Sequence, residues 1–315
     1  MQSTSENKLT DYEAALYDRG IRLWGVDAQI KLRQSKVLFI GINGLMSEII
    51  KNVVLAGVDS IALIDNHIVT YSDLSAHLFL TTSSVGKKRS DESVASIVEL
   101  NPLVNVQVLD KDINDIDSEL VKEYTVICMS DHSFNSTVKI NNLARLNQKY
   151  FISTMSFGMN GYFFSDLGAE FTYILKNTDD KQPDQVHFKE ISSHFQPLNQ
   201  VLQFKWSNFH ATRTPTLLFI LSILYQHESS HLKLVDKSTD IDQLLNSIPN
   251  SEKYRDFLKL IIKNLNSELA PVCAIVGGIV GSEIIKIISK NNDVINNFFF
   301  YDGTKGLVET VTNDI

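Results

Sequence analysis

Cysteine is scarce in this 315-residue chain: Cys128 and Cys273 are its two. That number excludes a disulfide framework and a four-cysteine zinc site, and it fits a reducing compartment. A surplus of positive charge is also missing. Twenty-nine Lys and Arg face 37 Asp and Glu, a formal net charge of −8, so a nucleic-acid surface is not the main business of the chain, because phosphate backbones need a basic face. Long apolar runs are absent as well. The longest stretches are Thr216 to Tyr225 and Pro271 to Ile288, and the second is interrupted by Glu283, Lys286 and several glycines. Neither supplies the ~20 uninterrupted apolar residues of a membrane span, so both read as core helices. The polar, acidic first twenty residues lack the apolar segment of a secretory signal. No internal repeat or low-complexity tract is present.

The sequence does contain an alternation of short apolar runs and helical periods. Thr10 to Arg33 is helix-prone, with breaks expected at Gly20 and Gly25. Lys36 to Gly41 (KVLFIG) reads as a buried strand, Asn43 to Ala56 as a helix, and Ser60 to Asp65 (SIALID) as a second strand. A helix over Ser90 to Leu100 stops at Asn101-Pro102. Val104 to Leu109, Thr125 to Met129 and Tyr150 to Met155 follow as strands, with a helix from Ser133 to Leu146. This order predicts an α/β fold: a Rossmann-like, mostly parallel sheet flanked by helices. Tyr162 to Phe164 and Ala169 to Tyr173 read as antiparallel strands around a turn, and Asn177 to Gln185 as a polar loop. Helices are expected over Thr212 to Gln226, Ile241 to Ser247, Glu252 to Asn264 and Pro271 to Ser289. Two last strands, Asn297 to Asp302 and Leu307 to Thr312, are expected to return to the same sheet. The implied organisation is a core over residues 1–175, a helical insertion over 176–268, and a completing helix and strands over 269–315.

The strand–turn–helix at Val37 to Lys51 (VLFIGINGLMSEIIK) stands where a nucleotide fold places G-x-G-x-x-G. Gly41 fits the first place, but Asn43 holds the second and Met46 the third, with Gly44 between them. Both side chains are expected to crowd the space a phosphate would take. Asp65 ends the second strand, where a ribose hydroxyl contact is expected. This reads as a Rossmann-like unit that no longer binds nucleotide well.

Two blocks carry a family resemblance. Tyr17 to Gly41 (YDRGIRLWGVDAQIKLRQSKVLFIG) resembles the opening of the ubiquitin-like-modifier activating enzymes, in which Tyr-Asp-Arg-Gln-Ile-Arg-Leu-Trp-Gly precedes the first strand. Ala270 to Ser289 (APVCAIVGGIVGSEIIKIIS), followed by Asn296 to Gly306 (NNFFFYDGTKG), is similar to the family's C-terminal part. Asn101-Pro102 and Phe157-Gly158 extend the similarity inward, and 177–266 is weakly marked. Within the family the chain looks most like the smaller subunit of the SUMO-activating branch. The resemblance implies a pair of similar adenylation domains. One is active and binds ATP, magnesium and the modifier; the other is degenerate and completes its partner's site. The active half typically carries Asp-x-Asp and then Ser-Asn-Leu-Asn-Arg-Gln-Phe, whose arginine meets the ATP phosphates. Here Asp65-Asn66-His67 and then Ser72 to Leu78 (SDLSAHL) occupy that stretch, with Ala76 at the arginine's place.

By this resemblance, the partners are the large catalytic subunit and, through the complex, SUMO. ATP and magnesium sit in the large subunit, with none held by this chain. The expected localisation is the nucleus, and also the cytoplasm. Arg19 matches the family arginine that reaches across the dimer to the partner's ATP phosphates, with Gly20 in place of the family's glutamine. The plainer reading of Arg19 is a solvated helix residue or a local ion pair with Asp18. Gly41, Gly44, Asp65, Arg89 and Asp131 are the remnants of the lost site. Asp131 follows the strand where active members hold magnesium, and Arg89 ends the run Gly86-Lys87-Lys88-Arg89, whose plainer role is to start a helix.

Other candidates read as structural. Cys128 and Cys273 lie among apolar residues, where thiolates are disfavoured. His227-Glu228 and His231 match H-E-x-x-H, which alone suggests a zinc-protease helix. The string follows an apolar helix at its expected frayed end and no third ligand is marked, so it reads as a surface helix end. Gly277, Gly278 and Gly281 suit close helix packing. Three competing functions use the same fold: a homodimeric ATP-dependent sulfur-carrier adenylyltransferase, a Rossmann dehydrogenase using Asp65, and a pure interaction scaffold.

Overall fold

The computed structural model describes residues 9–179, 182–203, 214–231, 235, 239–245, 251–265 and 267–311. Three short helices lead in: α1 (Asp11–Leu16), α2 (Asp18–Trp24) and α3 (Val26–Leu32). Thr10 and Glu13 form a reciprocal cap on α1. Gly25, at φ +90°, separates α2 from α3. Gly20 does not break the chain as expected: it lies inside α2, where neighbouring helical bonds hold it.

The core then alternates. β1 (Lys36–Ile40), α4 (Gly44–Leu55), β2 (Ser60–Ile64), α5 (Arg89–Leu100) and β3 (Asn105–Val108) form one half. α6 (Ser118–Lys122), β4 (Val126–Met129), α7 (Phe134–Leu146) and β5 (Tyr150–Phe157) form the other. β6 (Asn160–Asp166) turns back antiparallel along β5. A hairpin of β7 (Phe171–Asp179) and β8 (Gln182–Ser193) follows, then α8 (Leu198–Val201), α9 (Thr216–His231), α10 (Ile241–Leu245) and α11 (Arg255–Asn264). The chain closes with α12 (Ala270–Ser289), β9 (Phe298–Asp302) and β10 (Leu307–Val311).

Among the described residues one eight-stranded sheet has the order β10-β9-β6-β5-β4-β1-β2-β3. β3, β2, β1, β4 and β5 run parallel, while β6, β9 and β10 run antiparallel. The Rossmann-like sheet, its antiparallel extension and the C-terminal return are therefore all present. Side chains alternate across it. Val37 and Phe39 face the layer built by α4 and α12; Leu38 and Ile40 face the layer that includes α7 and α9 to α11.

Two expectations for the middle of the chain fail. β6 does not pair with the strand that follows it; β7 pairs with β8 in a separate two-stranded sheet. Most of Asn177 to Gln185 belongs to that hairpin rather than to a loop, with 180–181 outside the described residues. Cross-strand pairing overrides the polar composition, which a local pattern cannot register. α9 also runs to His231, beyond the expected end at Gln226.

α12 is long and apolar enough to cross a membrane by length and composition, yet 61% of its most apolar window is buried in the fold. Two glycines let it lie close on α4. A Cβ on Gly277 would stand 2.6 Å from the Glu48 Cβ, and one on Gly281 2.6 Å from the Asn52 Cβ. Gly278 faces open space, with nothing within 4 Å. Gly277→Val should therefore lower stability by about 1–3 kcal/mol through overpacking. Gly278→Ala should be neutral or stabilising by up to ~1 kcal/mol through helix propensity. Urea midpoints of the two variants measure the contrast, and equal effects would contradict this packing.

Candidate functional site

In a doubly wound sheet the crevice opens at the carboxyl ends of the strands where the winding reverses. Here that point lies between β1 and β4, and Gly41 and Ser130-Asp131 meet there. Gly41 adopts φ +78°, and a Cβ on it would come within 2.0 Å of the Ser130 carbonyl oxygen. The turn after it is pinned from both sides. The Ile42 N–H donates to Asp65 Oδ2 at 2.6 Å, and the Ile42 carbonyl accepts from His77 Nε2 at 2.7 Å.

Met46 does not crowd the phosphate space as the sequence suggested, whereas Asn43 lines the cavity beside it. Asn43 caps α4, its Oδ1 accepting from the Met46 N–H at 2.9 Å, and its Nδ2 donates to Ser130 Oγ at 3.0 Å. The Met46 side chain is fully buried in the core. The seat at the start of α4 is taken instead by Glu268, from the segment before α12. Its carboxylate accepts from the N–H of Gly44 at 2.7 Å and of Leu45 at 2.9 Å. Ser156 Oγ donates to it at 3.3 Å. Burial pushes the Glu268 carboxyl above the ordinary glutamate range, against the pull of those N–H donors. Nothing in the sequence marked this residue.

Arg89 lies beside this seat and is 3% exposed. Its Nε donates to Asp65 Oδ2 at 2.6 Å, one terminal nitrogen to Asp73 Oδ1 at 3.2 Å, and the other to Asp131 Oδ2 at 2.9 Å. Burial works against its charge, but Asp65 and Asp131 more than offset that and raise its pKa. Burial also pushes Asp73 up, yet hydrogen bonds from the hydroxyl and N–H of Thr70 and from His67 outweigh it and hold the carboxyl at about 2. Asp131 sits at φ +62°, a backbone conformation uncommon outside glycine. Asp73 was not singled out by sequence; it enters because a 3₁₀ turn, Asp73–Ser75, folds over Arg89.

Two cavities flank Arg89. One, of about 280 Å³, is lined by Asn43, Asp73, Arg89, Asp131, Ser156 and Glu268 among others. The other, of about 360 Å³, is lined by Asp65, Arg89, Lys111, Asp112, Asp131 and His132 among others. Ala76, at the family arginine's place, packs against α4: a Cβ on Gly44 would lie 2.9 Å from its own Cβ. The structure thus gathers the remnants Gly41, Gly44, Asp65, Arg89 and Asp131 into one place. Their donor set does not fit ATP-magnesium. The helix N-terminus already holds a carboxylate, the buried guanidinium is spent on three aspartates, and a polyphosphate would face Asp73, Asp131 and Glu268.

Arg19 lies elsewhere and lines neither cavity. It is exposed on α2 and has no ion-pair partner among the described residues. Of the two plainer readings, the ion pair with Asp18 does not form, because Arg22 Nε pairs with Asp18 at 3.0 Å, whereas an exposed helix position is what the structure shows. Two residues before Arg19, Tyr17 is anchored at 6% exposure. Its ring packs on Gly57, and its hydroxyl accepts from Asn101 Nδ2 at 3.0 Å. Tyr12, Leu16, Leu23 and Val26 around it are all at least 49% exposed.

The remaining candidates resolve structurally. Burial pushes the Cys273 thiol up to about 12 and the Cys128 thiol higher still. His227 and Glu228 are not at a frayed surface end: Glu228 is 4% exposed inside α9 and accepts from the Asn135 N–H at the start of α7. The side chain of His231 lies outside the described residues. Among the described residues no three His, Cys, Asp or Glu side chains are grouped to hold a metal ion.

The ThiF family profile matches residues 17–314. The SUMO-activating enzyme subunit 1 of Dictyostelium discoideum is 53% identical over 321 residues, covering 97% of this chain and 96% of that protein. The human protein of the same name is 33% identical over 340 residues, covering 95% and 94%. Among solved structures, PaaA superposes with a TM-score of 0.59 at 16% identity, over 99% of this chain and 77% of that one. Escherichia coli MccB with succinimide gives 0.59 at 14%, over 98% and 72%. At such identities these two neighbours speak for the fold alone.

His77 gives the site a pH dependence. Its Nε2–H donates to Ile42, so its Nδ1, 3.2 Å from the Phe79 N–H, must be the acceptor, and both bonds need the neutral ring. Burial lowers its pKa from 6.5 to about 4. The native state therefore binds fewer protons than the unfolded chain between these values. Stability is full above about pH 6.5 and falls as the pH drops toward 4, by about 3 kcal/mol from this residue. Burial lowers the pKa of His132 as well and adds in the same direction. Urea midpoints measured between about pH 7 and 4.5 should fall, and His77→Gln should flatten the fall. A midpoint independent of pH would contradict this account.

Proposed function

The chain belongs to the ThiF family, and from that premise, with its similarity to SUMO-activating enzyme subunit 1 proteins along 97% of its length, we propose that it is the non-thioester-forming subunit of a heterodimeric SUMO-activating enzyme. In this reading it completes the ATP site of the large subunit, where ATP and magnesium are bound. The observation that carries the reading is a contrast between two arginines. Arg89 is buried and consumed by three carboxylates, whereas Arg19 is exposed and unpaired among the described residues, on a helix anchored by Tyr17 and bordered by Leu16 and Leu23. Exposed apolar side chains concentrated on one short segment suit a protein partner.

The chemistry follows from charge. A carboxylate oxygen of the modifier's C-terminus attacks the α-phosphorus of ATP, the acyl-adenylate bond forms, and the bond to pyrophosphate breaks. Negative charge grows on the phosphate oxygens, and a planar guanidinium pairs two of them at once. Supplied across an interface, Arg19 makes activity depend on assembly. A thiolate of the large subunit then attacks the acyl carbon, the C–S bond forms, the C–O bond to the phosphate breaks and AMP leaves; both thiols of this chain are buried and held protonated, so neither serves. The nucleus, with some cytoplasmic protein, is where such a complex would act.

Modifier-dependent ATP–pyrophosphate exchange tests this directly. The isolated chain should give none, and addition of the large subunit should restore it. Arg19→Ala should depress exchange by about 10²–10³-fold without loss of assembly, the usual cost of removing one charge-stabilising donor. Strong exchange by the chain alone would overturn the assignment, as would an unchanged rate in the Arg19→Ala complex for the role of that residue.

A further inference from the structure

We propose that Glu268 is a built-in occupant of the phosphate seat, a carboxylate carried by the chain itself that holds the start of α4 closed to free oxyanions. The inference deepens the reading above, because it explains why this chain's own site is not the one that works.

α4 is a twelve-residue helix whose first N–H groups have no intrahelical partner. The aligned peptide dipoles favour an anion there. The local cap serves only the third position, through Asn43 and the Met46 N–H. The next two donors, Gly44 and Leu45, are both taken by one carboxylate from more than 220 residues away in the chain. Beyond the local cap, this helix is closed by a long-range arm.

That arm is held in place. The Gly158 N–H donates to the Ser267 carbonyl at 2.7 Å, and Ser156 Oγ donates to the Glu268 carboxylate. The close fit also explains Gly44. A Cβ there would stand 2.8 Å from Glu268 Oε2, 2.9 Å from the Ala76 Cβ and 3.1 Å from the Ala76 carbonyl carbon, so the glycine that looks like a phosphate-loop remnant admits both a carboxylate and the Ala76 segment. Glu268 forms no ion pair among the described residues, and Asp131 adds repulsion. Its charge therefore rests on the helix N-terminus, the Ser156 hydroxyl and the weak donor of the Cys273 thiol, whose Sγ stands 3.8 Å from Oε1. Those donors would serve a phosphate oxygen equally well.

The experiment replaces the arm and supplies the anion from solution. Thermal unfolding of the full-length chain is followed in inorganic phosphate and in chloride at matched ionic strength. Phosphate stabilises any protein somewhat by exclusion, so the wild-type chain is the reference. Glu268→Ala should melt about 5 °C or more below wild type in chloride. Phosphate at about 10 mM should then raise its midpoint by about 2–4 °C more than it raises the wild type's, saturably. Should the alanine chain not fold, Glu268→Ser leaves similar room and carries the same expectation. Equal phosphate responses in variant and wild type would overturn the proposal, as would a variant as stable as wild type in chloride. Either failure would leave the assignment of function standing, since that one falls by strong exchange activity of the isolated chain, and the Arg19 substitution tests only the role of Arg19.

Discussion

A helix N-terminus and a guanidinium that is 3% exposed meet at the carboxyl ends of β1 and β4, and buried donors of this kind are costly to leave unpaired. In an adenylating site such positive features would be matched by a substrate's phosphates. Here the chain matches them itself. Glu268 closes the helix, while Asp65, Asp73 and Asp131 close around Arg89. The result is a rigid polar knot with more acid than base, joined to the β1–α4 turn by Asp65 and His77. The N–H groups of Gly44 and Leu45 and the Arg89 guanidinium thus all have acceptors within the chain.

This knot depends on how α12 is placed. Glu268 lies just ahead of that helix, and α12 reaches α4 closely only because Gly277 and Gly281 carry no side chain. One packing decision thus sets both the core layer and the closure of the seat. On the other side of α4, Gly57 receives the ring of Tyr17, and Asn101 holds both the Tyr17 hydroxyl and the Val54 carbonyl. That contact docks the N-terminal helices on the same core while leaving Arg19 outward. The fold therefore buries one arginine and presents another. A buried cation is spent on structure, and an exposed one stays available to a partner.

Much of the fold was legible locally. KVLFIG, SIALID and TVICM are short apolar runs between helical periods, and each became a parallel strand within a residue or so of its expected limits. Where the pattern misled, the missing information was long-range. The polar stretch 177–185 belongs largely to a hairpin because β7 and β8 pair along their length. Glu228 looked like part of a surface motif and is buried because the start of α7 needs its carboxylate. Met46 looked like an obstruction and points into the core because the helix that carries it is rotated by its apolar face.

By itself the sequence determined the family and the order of strands and helices in the Rossmann-like core, and it put Ala76 where the family's active members carry an arginine. These follow from residue identity and from periods of two and 3.6, which are properties of neighbours along the chain. Only the tertiary structure decided that Arg89 is paired three times, that Arg19 is not paired among the described residues, and that Glu268 sits on α4. Those outcomes depend on which charges share a small buried volume. Residues more than 220 positions apart have no local signal by which to find each other; the packing of α12 on α4 brings them together.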